Sequence, residues 1–172
     1  MILLNAHEFR ERLKSCKRGA FHLETQDEYS VADEEEDLAE FIRTGNFDES
    51  WSSWEFLIRD ITDTGRRIQR LRVVSEPLTD YARFLYATTR INVESGEDVR
   101  WLPRHVIDPN ALTADDWWTL DDEAVAFTAF KTDGNLGGLA LTTDPAILRY
   151  CLAVRDAAWP LAIPHAEYHP AL

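Results

Sequence analysis

The chain is poor in cysteine, with two in 172 residues, Cys16 and Cys151, far apart. That spacing supplies neither a disulfide framework nor a zinc ligand pair. Cys151 falls on the apolar stripe of an expected helix, where a buried free thiol is the plain reading. Positive charge is also scarce: 18 lysines and arginines face 31 acidic residues, a formal net charge of -13. Phosphate backbones and anionic membrane surfaces repel such a chain, which argues against nucleic-acid and membrane partners and for a basic partner or mimicry of a polyanion. No apolar run approaches the roughly 18 residues of a membrane span. The start, Met1 to Leu4, is too short for a signal peptide and is followed by His7 and Glu8, so a cytoplasmic location is expected.

Catalytic motifs are missing as well. The five histidines, His7, His22, His105, His165 and His169, form no HExxH and no Cys/His cluster. His165 and His169 are four apart, but Pro164 and Pro170 break any helical zinc pair, which leaves a surface tail. No G-x-S-x-G supplies a nucleophile elbow. Ser75-Glu76-Pro77 stands where a phosphate-cradling glycine loop would follow a strand, so dinucleotide binding is disfavoured. Neither catalytic residues nor a metal or cofactor are expected.

What is present is enough to build a core. Apolar residues make up 45%, with six Trp, eight Phe and five Tyr, and the length suits a single domain. Its composition divides into an acidic strand-and-helix portion (1–65), an α/β core (66–160) and an irregular tail (161–172). A short helix is expected from Ala6 to Lys14. Alternation predicts a half-buried strand from Ala20 to Thr25, with Phe21 and Leu23 on one face and His22 and Glu24 on the other, and Tyr29 with Val31 as its hairpin partner. Helices follow, from Asp33 to Gly45 on Leu38, Phe41 and Ile42, and from Ser52 to Thr64 on Trp54, Leu57, Ile58 and Ile61. Ile68 to Val74 reads as a strand, Glu76-Pro77 as the start of a helix ending at Gly96, and Val99 to Leu102 as a strand. Together they form a parallel βαβ unit. Trp117 to Leu120 and Ala124 to Phe130 read as adjacent strands joined at Asp121-Asp122-Glu123. A turn (131–138), a short strand from Leu139 to Leu141 and a helix capped by Asp144-Pro145 complete an α/β (α+β) fold with a mixed sheet and flanking helices. Trp117 and Trp118 must face opposite ways on their strand, so either one indole is exposed for a partner or helices cover both faces.

The arginines give the first candidate site. Arg70 and Arg72 share a strand face, Arg100 lies on the neighbouring strand, and Glu76, Tyr81 and Arg83 follow the carboxyl end of the first strand. Ligands of open α/β sheets bind beyond such ends, and arginine grips carboxylates and phosphates in bidentate fashion. A small anionic ligand is one reading; internal ion pairs with Glu24, Glu76 or Glu97 are the other. The second candidate is the acidic face of Asp33, Glu34, Glu35, Glu36, Asp37 and Glu40, suited to a basic protein.

The run from Phe21 through Leu23, Glu24, Thr25 and Asp27 to Tyr29, and the run Arg72-Val73-Val74-Ser75-Glu76-Pro77-Leu78-Thr79-Asp80-Tyr81, resemble a domain-of-unknown-function family of actinobacteria. Gly96 to Arg100, Leu102 to Arg104 and Arg155 to Trp159 extend the resemblance over nearly the whole chain. It implies a helix-turn-helix transcription regulator as partner, since such regulators are often encoded beside family members. At the level of fold, Ile68 to Trp159 is similar to a phospholipase-D-like domain, which also serves as an inactive sensor half in some transcription regulators. If Asp121 or Asp122 stands for that family's Asp, its Lys position holds Asp116 or Trp117 and its His position Ala114 or Asp115, so the nucleophile and the phosphate-binding lysine are missing. A non-catalytic regulatory or adaptor protein is therefore expected. The alternative is an enzyme of unrecognised type acting on a phosphorylated or carboxylated small molecule.

Overall fold

The computed structural model describes residues 1–29, 34–130 and 136–170. Eight strands form one mixed sheet: β1 (Ile2–Leu4), β2 (Gly19–Glu24), β3 (Arg67–Val74), β4 (Asp98–Pro103), β5 (Trp117–Leu120), β6 (Ala124–Phe130), β7 (Leu136–Thr142) and β8 (Ile163–Pro164). Their order is β1-β7-β6-β5-β2-β3-β4-β8. β2, β3 and β4 run parallel and every other pairing is antiparallel. Among the described residues, five α-helices flank the sheet: α1 (Ala6–Ser15), α2 (Glu35–Thr44), α3 (Ser53–Thr62), α4 (Asp80–Glu94) and α5 (Pro145–Ala158).

Local chemistry sets the helix ends. Asn5 and Glu8 make a reciprocal capping box on α1, and Ser52 with Glu55 repeats it on α3. Asp144 accepts from the amides of Ala146 and Ile147 at the start of α5, with Pro145 in the first turn. Gly45 ends α2 in the left-handed conformation. Gly19, with φ +141, opens β2 where an added Cβ would lie 1.8 Å from the Arg67 carbonyl oxygen, so only glycine fits there.

Period-two alternation sorts the strands onto two buried faces. Phe21, Leu23, Leu71, Val73, Leu102 and Trp117 pack under Cys151, Val154 and Ala158 of α5. On the other face, Ala20, Ile68, Trp118 and Leu120 pack under α1 and α3 through Phe9, Leu13, Leu57, Ile58 and Ile61. Val74 and Trp101 meet Leu78 and Ala82 beside α4. Trp117 and Trp118 are therefore both buried, one on each face, and neither offers an exposed indole.

Several expectations are corrected. Tyr29 lies outside any strand, so it is no hairpin partner of β2, whose neighbours are β3 and β5; Val31 falls outside the described residues. The helix after β3 begins at Asp80, capped by Thr79, and not at Pro77. The Leu139 to Leu141 strand extends to seven residues because β6 and β1 both pair with it. The tail is not irregular throughout: β8 pairs with β4, Tyr168 is buried, and His165 Nδ1 accepts from the Trp101 indole N–H at 3.1 Å. The boundary at residue 65 marks a change of composition, since β2 lies inside the sheet between β5 and β3.

Candidate functional site

The parallel register of β2 and β3 sets His22 beside Arg70 and Glu24 beside Arg72, all on the α1/α3/α4 face. Arg70 Nε donates to Glu97 Oε1 at 2.7 Å, and a terminal nitrogen of Arg70 donates to Glu24. Arg72 Nε donates to Glu24 Oε2 at 2.6 Å, and another of its nitrogens reaches Thr89 Oγ1. All four charged groups are buried and their formal charges cancel. Buried ions survive only when paired and hydrogen-bonded in this way. Burial by itself would raise the Glu24 pKa, but the Arg72 and Arg70 guanidiniums together hold it well below the usual carboxylate range.

His22 lies at the edge of this cluster. Its ring stacks on Trp118, with centroids 4.1 Å apart and planes 11° from parallel. Nδ1 is 3.4 Å from Glu24 Oε1 but misaligned for a hydrogen bond, and neither ring nitrogen has a partner among the described residues. Burial lowers the imidazole pKa to about 3; Arg70 and Arg72 push the same way and Glu24 opposes. The ring is thus neutral at pH 7 and makes no ion pair. It offers one donor and one acceptor instead.

Asp116, just ahead of β5, stands across from Glu24. It accepts from the Thr25 amide and hydroxyl, both at 2.7 Å, and from the Tyr29 hydroxyl. Burial raises its pKa, those hydrogen bonds lower it, and the Glu24 charge raises it further, for a net rise. The Tyr29 phenol is pushed up by burial first and then by the charges of Glu24 and Asp116.

Over this floor opens a cleft of about 740 Å³, between α1/α3 on one side and α2/α4 on the other. It lies over the carboxyl halves of β2 and β3, where α/β sheets commonly hold ligands. Aromatic rings line it from both sides, including Phe9, Trp54 and Trp118 against Tyr29, Tyr81 and Phe84. Beyond the neutral cluster, five carboxylates (Glu34, Asp37, Asp48, Glu55 and Asp116) face it against one guanidinium, Arg10.

The predicted arginine site is only partly assembled. Arg70, Arg72 and Tyr81 line the cleft. Arg100 does not: it pairs in register with Leu71, so it points to the α5 face and stacks 4.1 Å over Trp159. Arg83 is exposed and paired with Asp80, and Glu76 accepts from the Tyr168 hydroxyl at 2.8 Å outside the cleft. Arg70 and Arg72 carry the internal pairs with Glu24 and Glu97, so each guanidinium is already neutralised. Asp121 and Asp122 lie at the far end of the strands. Asp121 accepts three backbone amides from Lys17, Arg18 and Gly19, and Asp122 pairs with Arg155.

On the acidic face, Glu34 flanks α2 and accepts from the Tyr81 hydroxyl at 2.7 Å. Glu35, Glu36 and Asp37 are exposed in the first turn of α2, and Glu40 is paired with Arg43; Asp33 is outside the described residues. Sequence reasoning missed His22, Asp116 and Trp118 as a group. The alternation of β2 placed His22 with Glu24, but the antiparallel β2–β5 pairing that brings in Trp118 links residues about a hundred positions apart and leaves no local signal.

No curated protein matches the chain. A family model described as "Domain of unknown function (DUF6879)" matches residues 7–170, and the chain belongs to that family.

Proposed function

We propose that this protein is a non-catalytic regulatory or adaptor protein that engages a basic protein partner across the acidic mouth of its cleft. The carrying observation is the charge arrangement: Arg70 and Arg72 are neutralised by Glu24 and Glu97, whereas Glu34 and Asp37 face the opening, beside the exposed Glu35 and Glu36. The partner in this reading is a helix-turn-helix regulator of the actinobacterial type that the family resemblance implies. Its DNA-binding surface is cationic, so the adaptor competes with DNA for it. The distant likeness of Ile68 to Trp159 to a phospholipase-D-like sensor domain fits the same role. That fold-level likeness assigns no reaction.

The chemistry of the cleft supports binding over turnover. An imidazole held at a pKa of about 3 is a weak general base at neutral pH. Away from the cleft, burial pushes the Cys16 and Cys151 thiols up to about 11, so they stay protonated at pH 7.

The test is a salt titration of the complex with the neighbouring regulator, repeated with Glu35→Lys/Glu36→Lys/Asp37→Lys. Affinity that falls with salt and collapses on charge reversal supports the reading. Affinity indifferent to both refutes it.

A further inference from the structure

The charge and hydrogen-bonding pattern of the cleft floor has a use beyond a protein-binding surface. We propose that the cleft over His22, Glu24, Asp116 and Trp118 is a binding site for a cationic nitrogen head group, guanidinium or protonated amine. The cleft would hold such a group whatever the identity of any regulator.

Three observations converge on it. The first is His22. It is nine-tenths buried, lines the cleft, and neither ring nitrogen has a hydrogen-bond partner among the described residues. An unpartnered buried polar group is costly and rare, and a bound N–H donor is what a neutral imidazole acceptor lacks. The second is the pair of carboxylates. Glu24 and Asp116 approach from β2 and from the lead-in to β5, close enough that the Glu24 charge acts on Asp116. Glu24 is already balanced by arginine, whereas among the described residues Asp116 is met only by hydroxyls and an amide. A cation between them relieves that repulsion. The third is the wall. Trp54 lies on one side and Tyr29 on the other, aromatic rings of the kind that attract cations, as Arg10 already does 5.9 Å over Trp54. Volume agrees: about 740 Å³ accepts an organic cation with its aliphatic tail. An inorganic anion finds the opposite environment, since Arg70 and Arg72 are already engaged by glutamates and Arg10 faces five carboxylates.

The head group has two sources, a free small molecule or an arginine side chain of a partner protein. Agmatine, with a guanidinium, an amine and no carboxylate, probes the first, and a capped Gly-Arg-Gly peptide the second. Inorganic phosphate is the counter-probe. Each is titrated calorimetrically into the full chain, into His22→Phe, which keeps the ring stack on Trp118 and removes both nitrogens, and into Asp116→Asn. In parallel, the ring nitrogen resonances of His22 in the wild type are followed on titration, which keeps the test decisive should Asp116→Asn fail to fold.

The expected result is binding of agmatine, the peptide or both, with a shift of the His22 nitrogen signals. Affinity drops about tenfold or more in each variant, as loss of a charge-assisted or buried hydrogen bond implies. Agmatine binding alone assigns the site to a free cation, and peptide binding alone to a partner's side chain. The proposal is overturned by phosphate binding with the cations silent, by no binding at all, or by cation binding that leaves the His22 nitrogens unmoved and is indifferent to His22→Phe.

Discussion

Replacing His22 by phenylalanine should make the protein more stable, and the size of the gain follows from the structure. A buried polar group left without a partner costs about 1–3 kcal/mol. His22 presents two such nitrogens, while its ring contributes a stack on Trp118 that phenylalanine retains. Phenylalanine keeps the flat ring and adds one ring atom at a position that borders the cleft. A gain of about 2 kcal/mol at pH 7 raises Tm by about 4–8 °C for a domain of this length. Acid widens the difference. The imidazole pKa is near 3 when folded and 6.5 unfolded, so between those values the unfolded chain binds the extra proton. Wild-type stability is therefore intact above pH 6.5 and is lost as pH falls through it, by about 2 kcal/mol at pH 5. The variant lacks that loss. Glu24 behaves differently: its pKa is depressed from 4.5, so its contribution is present above that pH and is lost only on further acidification. Urea denaturation of both proteins at pH 7.5 and pH 5, read for equal m-values, tests the reasoning. A variant that is no more stable at pH 7.5, or that shows the same decline towards pH 5 as the wild type, refutes it. A residue that lowers stability yet lines the cleft fits a ligand-binding role.

Breaking the buried ion cluster should be severe: Arg70→Met strands Glu97 and half of Glu24 and costs about 3–5 kcal/mol, read by chemical denaturation. Arg100→Ala removes only an ion pair with Asp98 and a ring contact on the opposite face. It should cost about 1 kcal/mol and leave any cleft titration unchanged. Gly19→Ala forces a Cβ against the Arg67 backbone at a positive φ, so the soluble folded yield should collapse in a thermal melt. Both thiols, with pKa pushed up to about 11 by burial, should react slowly with iodoacetamide at pH 7.5 until denaturant exposes them, as mass spectrometry would show.

Local chemistry and period-two alternation were enough to place most helices and the faces of β2 to β6, but gave no sign of β1 or β8 as strands. The βαβ unit of β3, α4 and β4, the β5–β6 hairpin, the capped helices α3 and α5, and the shared face of Arg70 with Arg72 all rest on interactions within a few residues or on period-two alternation, which a linear reading captures. It also held both readings of the arginines, and the pairs with Glu24 and Glu97 were one of them. Only the tertiary structure decided which strands became neighbours. Inserting β2 between β3 and β5 brought His22 against Trp118, set Glu24 across from Asp116, and consumed the arginines in a neutral cluster. Register then turned Arg100 to the far face, and β8 tied down the tail. Those outcomes depend on long-range pairing, whose energy comes from burial and hydrogen bonds between distant segments and so leaves no periodic trace in the chain.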